Sequence, residues 1–126
     1  MGIGLLGKKV GMTRFFTENG ESIPVTVLKI EDNIISMIKS TDSDGYNAIQ
    51  ISTTQQKENK SNKPNSGHFK KSNIPPQKNI KEFRVNETSE LEVGQKLDAA
   101  FFEEGTFVNV RSRSKGKGFA GTIKRH

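Results

Sequence analysis

The residues best placed to do chemistry in this chain are cations without counter-ions. Ser112 to His126 holds Arg113, Lys115, Lys117, Lys124 and Arg125 and not one carboxylate. Gly116, Gly118 and Gly121 deny the stretch a packed helix or strand of its own. Each cation can sit against a phosphate, so the stretch is expected to order on a polyanion rather than in isolation. Gly116 and Gly118 would let the backbone come close to the ligand. Phe119 offers an aromatic face that can stack on a base or plug into the domain, and His126 closes the run. Lys8, Lys9 and Arg14 near the start, with Lys60, Lys63, Lys70 and Lys71 in a polar loop, are second-rank candidates of the same kind.

Other motifs fail on mechanism. Gly2-Ile3-Gly4-Leu5-Leu6-Gly7 matches a dinucleotide fingerprint letter for letter, but no strand precedes it. Read as a phosphate-binding loop, the same run puts Lys9 where a hydroxyl must hold magnesium. Lys117-Gly118-Phe119-Ala120 echoes the start of an RNA-recognition-motif signature, and Gly121-Thr122 then breaks it. Asp42-Ser43-Asp44-Gly45 lacks the later ligands of a calcium loop and reads as a turn. His68 reads as an exposed loop histidine. No nucleophile stands beside a base and no carboxylate pair lies in apolar surroundings, so no enzyme activity is expected. No cofactor, metal or small-molecule substrate is expected either. Without cysteine, and with two isolated histidines, the chain offers no thiolate or zinc site.

Composition sets the outer limits. A chain of 126 residues supports one domain with a modest core. With 31% hydrophobic residues and a mean hydropathy of -0.66, part of it should lie outside that core. A formal charge of +6 and a pI near 9.7 favour a polyanionic partner. Charge alone does not separate RNA from DNA, anionic lipid or plain solubility. Cations follow the apolar residues of Met1 to Met12, so this is neither a signal peptide nor a membrane span, and no membrane partner is expected.

The elements that must position these cations read as short strands. Ile3 to Arg14 opens as a strand, Thr17-Glu18-Asn19-Gly20 is a hairpin turn, and Ile23-Pro24-Val25-Thr26-Val27 follows as a half-buried partner. Ile34 to Ile38 and Tyr46 to Ile51 form the next pair, with Ile49 and Ile51 on one face. Residues 53–79 are a polar loop insertion, in which Ser66 to Lys71 form a helical turn anchored by Phe69 and stopped by Pro75-Pro76. Strands resume at Ile80 to Val85 and before Leu97. Phe101-Phe102 and Phe107 to Val110 are expected to supply further core and a last strand running into the basic tail. Glu82, Glu87, Glu90, Glu92, Glu103 and Glu104 fall in this half, which segregates the loop and tail cations. The pattern is mainly β, a small barrel or sandwich over residues 1–112, with a basic Gly-rich extension from 113–126.

Five blocks carry a family resemblance. Gly4 to Arg14, Ile23 to Val27, Gly45 to Gln50, Gly67-His68-Phe69 and Ser114 to Gly121 resemble, in order and spacing, the bacterial and organellar large-subunit ribosomal protein three family. The resemblance implies a Greek-key β barrel of the translation-protein type. It further implies binding to the 3′-terminal domain of the large-subunit rRNA, a role in nucleating subunit assembly, and contacts with neighbouring proteins fourteen and nineteen. Location in the ribosome follows, in the bacterial cytosol or an organelle. The motif at Ser114 to Gly121 begins the RNA-penetrating extension of that family. Family members continue past the position of His126 and return to complete the barrel, so the barrel in this chain is expected to be incomplete. The alternative is a free-standing β barrel that serves translation as an accessory or binds a protein.

Overall fold

The computed structural model describes residues 3–86 and 91–125. Two strands, β1 (Lys8–Phe16) and β2 (Ser22–Lys29), form an antiparallel ribbon in which Phe15 faces Ile23 and Phe16 faces Ser22. The Asn19-Gly20 pair turns the chain as expected: Gly20 takes a φ of 82°, and its N–H donates to the Thr17 carbonyl at 2.9 Å. That left-handed backbone costs glycine little and other residues more. Pro24, which has no N–H to give a ladder, lies in this two-stranded ribbon opposite Arg14.

The second sheet contains β3 (Asn33–Lys39), β4 (Ala48–Gln55), β5 (Gln77–Arg84) and β6 (Lys96–Leu97), in the order β5-β4-β3-β6 with every pair antiparallel. Ile49 and Ile51 share a face of the central strand β4 and are fully buried with Ile35 of β3. Val85 and Leu97 complete this cluster, and Ile3, Leu5, Leu6, Ile38, Phe83 and Leu91 pack against it. Gly4 belongs to the same contact. A Cβ built there would lie 2.4 Å from a ring carbon of Phe83, so only glycine lets the N-terminal segment lie this close. The one-turn helix α1 (Thr41–Asp44) joins β3 to β4, ending at Gly45 with a φ of 80°.

The polar excursion is more ordered than its composition implies. Its helix α2 (Lys63–Lys71) has nine residues where a single turn was expected, and Phe69 is completely buried as its anchor. The sheet prepares the docking site: a bulge between Ile35 and Met37 breaks the β3 ladder, and the Ser36 carbonyl accepts the Ser72 hydroxyl at 2.7 Å. The Gln50 side-chain oxygen accepts from Ser36 Oγ at 2.9 Å and from His68 Nε2 at 2.6 Å. His68 is therefore half-buried and bonded, not the exposed loop histidine read from sequence. Because an amide oxygen can only accept, it is the ring nitrogen that donates in this bond.

Four further expectations change. The opening strand starts at Lys8 rather than Ile3, because Ile3 to Leu6 are held as a non-strand segment on the core of the other sheet. β2 is exposed along its length apart from half-buried Val25. Phe101, Phe102, Phe107, Val108 and Val110 supply no core: all are exposed, Phe107 completely. Among the described residues no strand follows Leu97, since Phe107 to Val110 find no neighbouring ladder to pair with. The class is mainly β, as read, but the described strands form two separate sheets and do not close into a barrel.

Candidate nucleic-acid interface

Buried Asn33 sets the position of the first cations. Its side chain behaves like a strand neighbour: Oδ1 accepts the Leu6 N–H at 2.9 Å, while Nδ2 donates to the carbonyls of Leu6 at 3.1 Å and Glu31 at 2.8 Å. This clamp fixes Leu6-Gly7 where the chain enters β1, and so aims Lys8 and Lys9. Across from them the paired ends of β4 and β5 contribute Lys78 and Lys81, β2 contributes Lys29, and Arg113 arrives from the tail. Together they line an open groove of about 990 Å³. Among the described residues Glu31 is its one lining carboxylate. The Thr54 hydroxyl donates to Glu31 Oε2 at 3.0 Å, and Lys29 Nζ lies 3.2 Å from Oε1. These two partners, the hydroxyl first, hold the Glu31 carboxyl below its ordinary range. Thr54 makes its bond from a φ of 67°, an uncommon conformation for a β-branched residue.

A second polar cluster satisfies itself. The Tyr46 hydroxyl donates to Glu82 Oε1 at 2.6 Å and accepts from Lys39 Nζ at 2.8 Å, while Lys39 and Glu82 pair at 2.9 Å. The Arg84 guanidinium stands 5.1 Å from the Tyr46 ring centre. The hydroxyl and then the ammonium lower the Glu82 carboxyl, and the Tyr46 and Glu82 hydrogen bonds raise Lys39 above the ordinary lysine range. Its charges answer one another, so this cluster is a structural clasp between β3, β5 and the turn before β4.

The structure brings three of the sequence-derived candidates, Lys8, Lys9 and Arg113, into the groove and leaves the others dispersed. Ser112 to Gly121 has no regular structure, with Gly118 at a φ of 73°, and Lys115, Gly116 and Lys117 are exposed. Phe119 is 97% exposed, so it is not plugged into the domain. Lys124 and Arg125 sit on the one-turn helix α3 (Thr122–Arg125), also exposed. His126 lies outside the described residues, as do Glu87 and Glu90. Arg14 is exposed on β1. Lys60 lines a shallower depression with Lys57 and Lys78. Lys63 opens α2, and Lys70 and Lys71 occupy its last turn, where the helix dipole favours cations whatever their further role.

No family model matches the chain. Curated relatives do: large ribosomal subunit protein uL3 of Francisella philomiragia is 51% identical over all 126 residues, and that of Francisella tularensis subsp. novicida is 49% identical over the same span. The chain is a homologue of the N-terminal part of uL3. It spans 60% of the length of these relatives. The aligned span includes the groove, the clamp and the basic stretch. Sequence reasoning missed Lys29 of β2 and Lys78 and Lys81 of β5, two strands far apart along the chain and in different sheets, which meet only at the groove. It also missed Asn33. One signal was available for it, a lone amide immediately before the apolar run Ile34 to Ile38.

Proposed function

We propose that this chain is part of a structural protein of the large ribosomal subunit, that it binds the 3′-terminal domain of the large-subunit rRNA, and that it helps nucleate assembly of the subunit. The observation that carries this reading is full-chain homology to uL3, joined to a basic stretch whose cations Arg113, Lys115, Lys117, Lys124 and Arg125 have no carboxylate among them. Lys8, Lys9, Arg14, Lys60, Lys63, Lys70 and Lys71 give additional phosphate contacts. The glycines Gly116 and Gly118 admit the RNA backbone, Phe119 stacks on a base, and His126 extends the contact. Such contacts fix position without reading bases, so selectivity comes from the shape of the RNA. The protein acts as a scaffold within the ribosome, beside neighbouring proteins fourteen and nineteen, and carries no chemistry of its own.

The test is the salt dependence of binding to large-subunit rRNA. Replacing Lys115 and Lys117 by Ala removes two phosphate contacts, which lowers the slope of log K against log salt by about 0.7 to 0.9 for each. An unchanged slope excludes their phosphate role. Loss of the protein from large subunits in a moderate salt wash would favour a free-standing accessory module instead.

A further inference from the structure

The cations of the groove come from four separate places: Lys8 and Lys9 from β1, Lys29 from β2, Lys78 and Lys81 from β5, and Arg113 from the tail. Sheet pairing and the Asn33 clamp hold five of the six on the folded domain, so they are in place before any ligand arrives. This differs from the exposed, irregular stretch beyond Ser112, whose cations must be ordered by their ligand. Like charges gathered in one groove repel, and in protein surfaces such a concentration is normally offset by interspersed carboxylates. Here, among the described residues, only Glu31 stands in the groove, and Lys8, Lys9, Lys78, Lys81 and Arg113 form no salt bridge.

The bonding of Glu31 shows what the groove is shaped to hold. One carboxylate oxygen takes an ammonium and the other a hydroxyl, the same pair of donors that a non-bridging phosphate oxygen accepts. The hydroxyl belongs to Thr54, kept in position by its left-handed backbone and joined by Asn79 Nδ2 at 3.4 Å. Leu6 and Ile80 give the groove an apolar side against which a ribose can rest.

We infer that this groove is a preformed site for an RNA sugar-phosphate backbone, in which the Glu31 carboxylate occupies a phosphate position until RNA displaces it from Lys29 and Thr54. The inference rests on the rRNA-binding reading above and adds to it a second site, on the folded domain and touching the extension only at Arg113, with Lys29, Lys78 and Lys81 as binding residues. Glu31 then acts as an internal competitor. It tempers the attraction of the groove for small anions and surrenders Lys29 only to a ligand that fills the remaining cations at the same time.

The experiment uses the whole chain and purified large-subunit rRNA of Francisella philomiragia as the probe, with affinity measured over a range of salt. Glu31→Gln keeps an oxygen for the Thr54 hydroxyl and removes the charge. Binding should tighten by roughly threefold, the size of one unit-charge repulsion across about a phosphate width in water, and Lys29 becomes free for a phosphate, so the salt slope steepens by about 0.7 to 0.9. A gain of affinity cannot come from misfolding. Lys78→Ala with Lys81→Ala, both exposed in the structure, should flatten the slope by about 1.4 to 1.8. If both variants keep the parental affinity and slope while Lys115→Ala with Lys117→Ala flattens it, the groove is idle and only the extension binds, which overturns this inference and leaves the functional reading intact. If the unmodified chain shows no salt-dependent binding, both fall together.

Discussion

Replacing Asn33 by Ala should destabilise the domain by about 2 to 3 kcal/mol. The side chain is completely buried and makes three hydrogen bonds to backbone groups, two to Leu6 in the segment that leads into β1 and one to Glu31 just before β3. At roughly 1 kcal/mol net for each bond, the upper figure is about 3 kcal/mol. Leu6 is half-buried and Glu31 is exposed, so water can reach some of the abandoned groups, and this brings the estimate toward 2. With a urea m-value of about 1 to 3 kcal/mol per molar for a domain of this size, the unfolding midpoint should fall by about 0.7 to 3 M. Asn33→Asp gives a sharper version of the same test. It keeps the shape and the Leu6 N–H bond but sets a carboxylate against two carbonyl oxygens, at 3.1 and 2.8 Å in the present geometry. That carboxyl would have its pKa raised by folding, so the variant should be weakest at neutral pH and recover as pH falls through the raised value. Urea unfolding of both variants at pH 7 and pH 4.5, against the parent, decides the matter. A midpoint for Asn33→Ala within error of the parent, or an Asn33→Asp variant with no recovery in acid beyond the parent's own change, would refute the clamp.

Two other outcomes are expected. Gly4→Ala should cost about 1 to 3 kcal/mol, because its methyl carbon would overlap the Phe83 ring, and Phe83→Leu in the same chain should recover part of the loss in urea unfolding. Tyr46→Phe removes the hydroxyl that does most to lower Glu82. A lowered carboxyl contributes stability that is present above its ordinary unfolded value and is lost as pH falls through the folded one. The parent should therefore lose stability below about pH 4.5, and the variant should lose less over the same window in an acid titration followed by circular dichroism.

The strands that could be read from sequence are those whose patterns are set by burial. Ile49 and Ile51 alternate with polar residues because one face of β4 covers the core, and Asn19-Gly20 announces its turn because few other residues tolerate that backbone. Phe69 could be read as an anchor because it is an isolated large apolar group in a polar run. The errors come from the same rule applied without a partner. Phe101 to Val110 look like core by composition, but an apolar residue is buried only if another surface meets it, and the described residues supply none. The exposed β1–β2 ribbon makes the same point, since its alternation specifies a strand and says nothing about what covers it. The groove was half legible. Lys8, Lys9 and Arg113 stand out as uncompensated cations, whereas Lys29, Lys78 and Lys81 look like the ordinary solvated side of strands until the fold sets β2 and β5, from two different sheets, along the same groove.

The pairing of β6 with β3 carries a consequence for the order of folding. β3 and β4 are joined by a short turn and can zip locally, and β5 joins after the α2 excursion. The outer edge of β3 is met by Gly94 to Leu97, which must return across roughly sixty residues of chain to reach Asn33 to Ile35, a closure slower than the others because its entropy is lost before any contact rewards it. During synthesis, then, the sheet can exist for a time with three strands and one open ladder. A ribosome stalled before Leu97 has emerged should present a nascent chain whose β3 amides exchange rapidly while those shared by β3 and β4 are already protected.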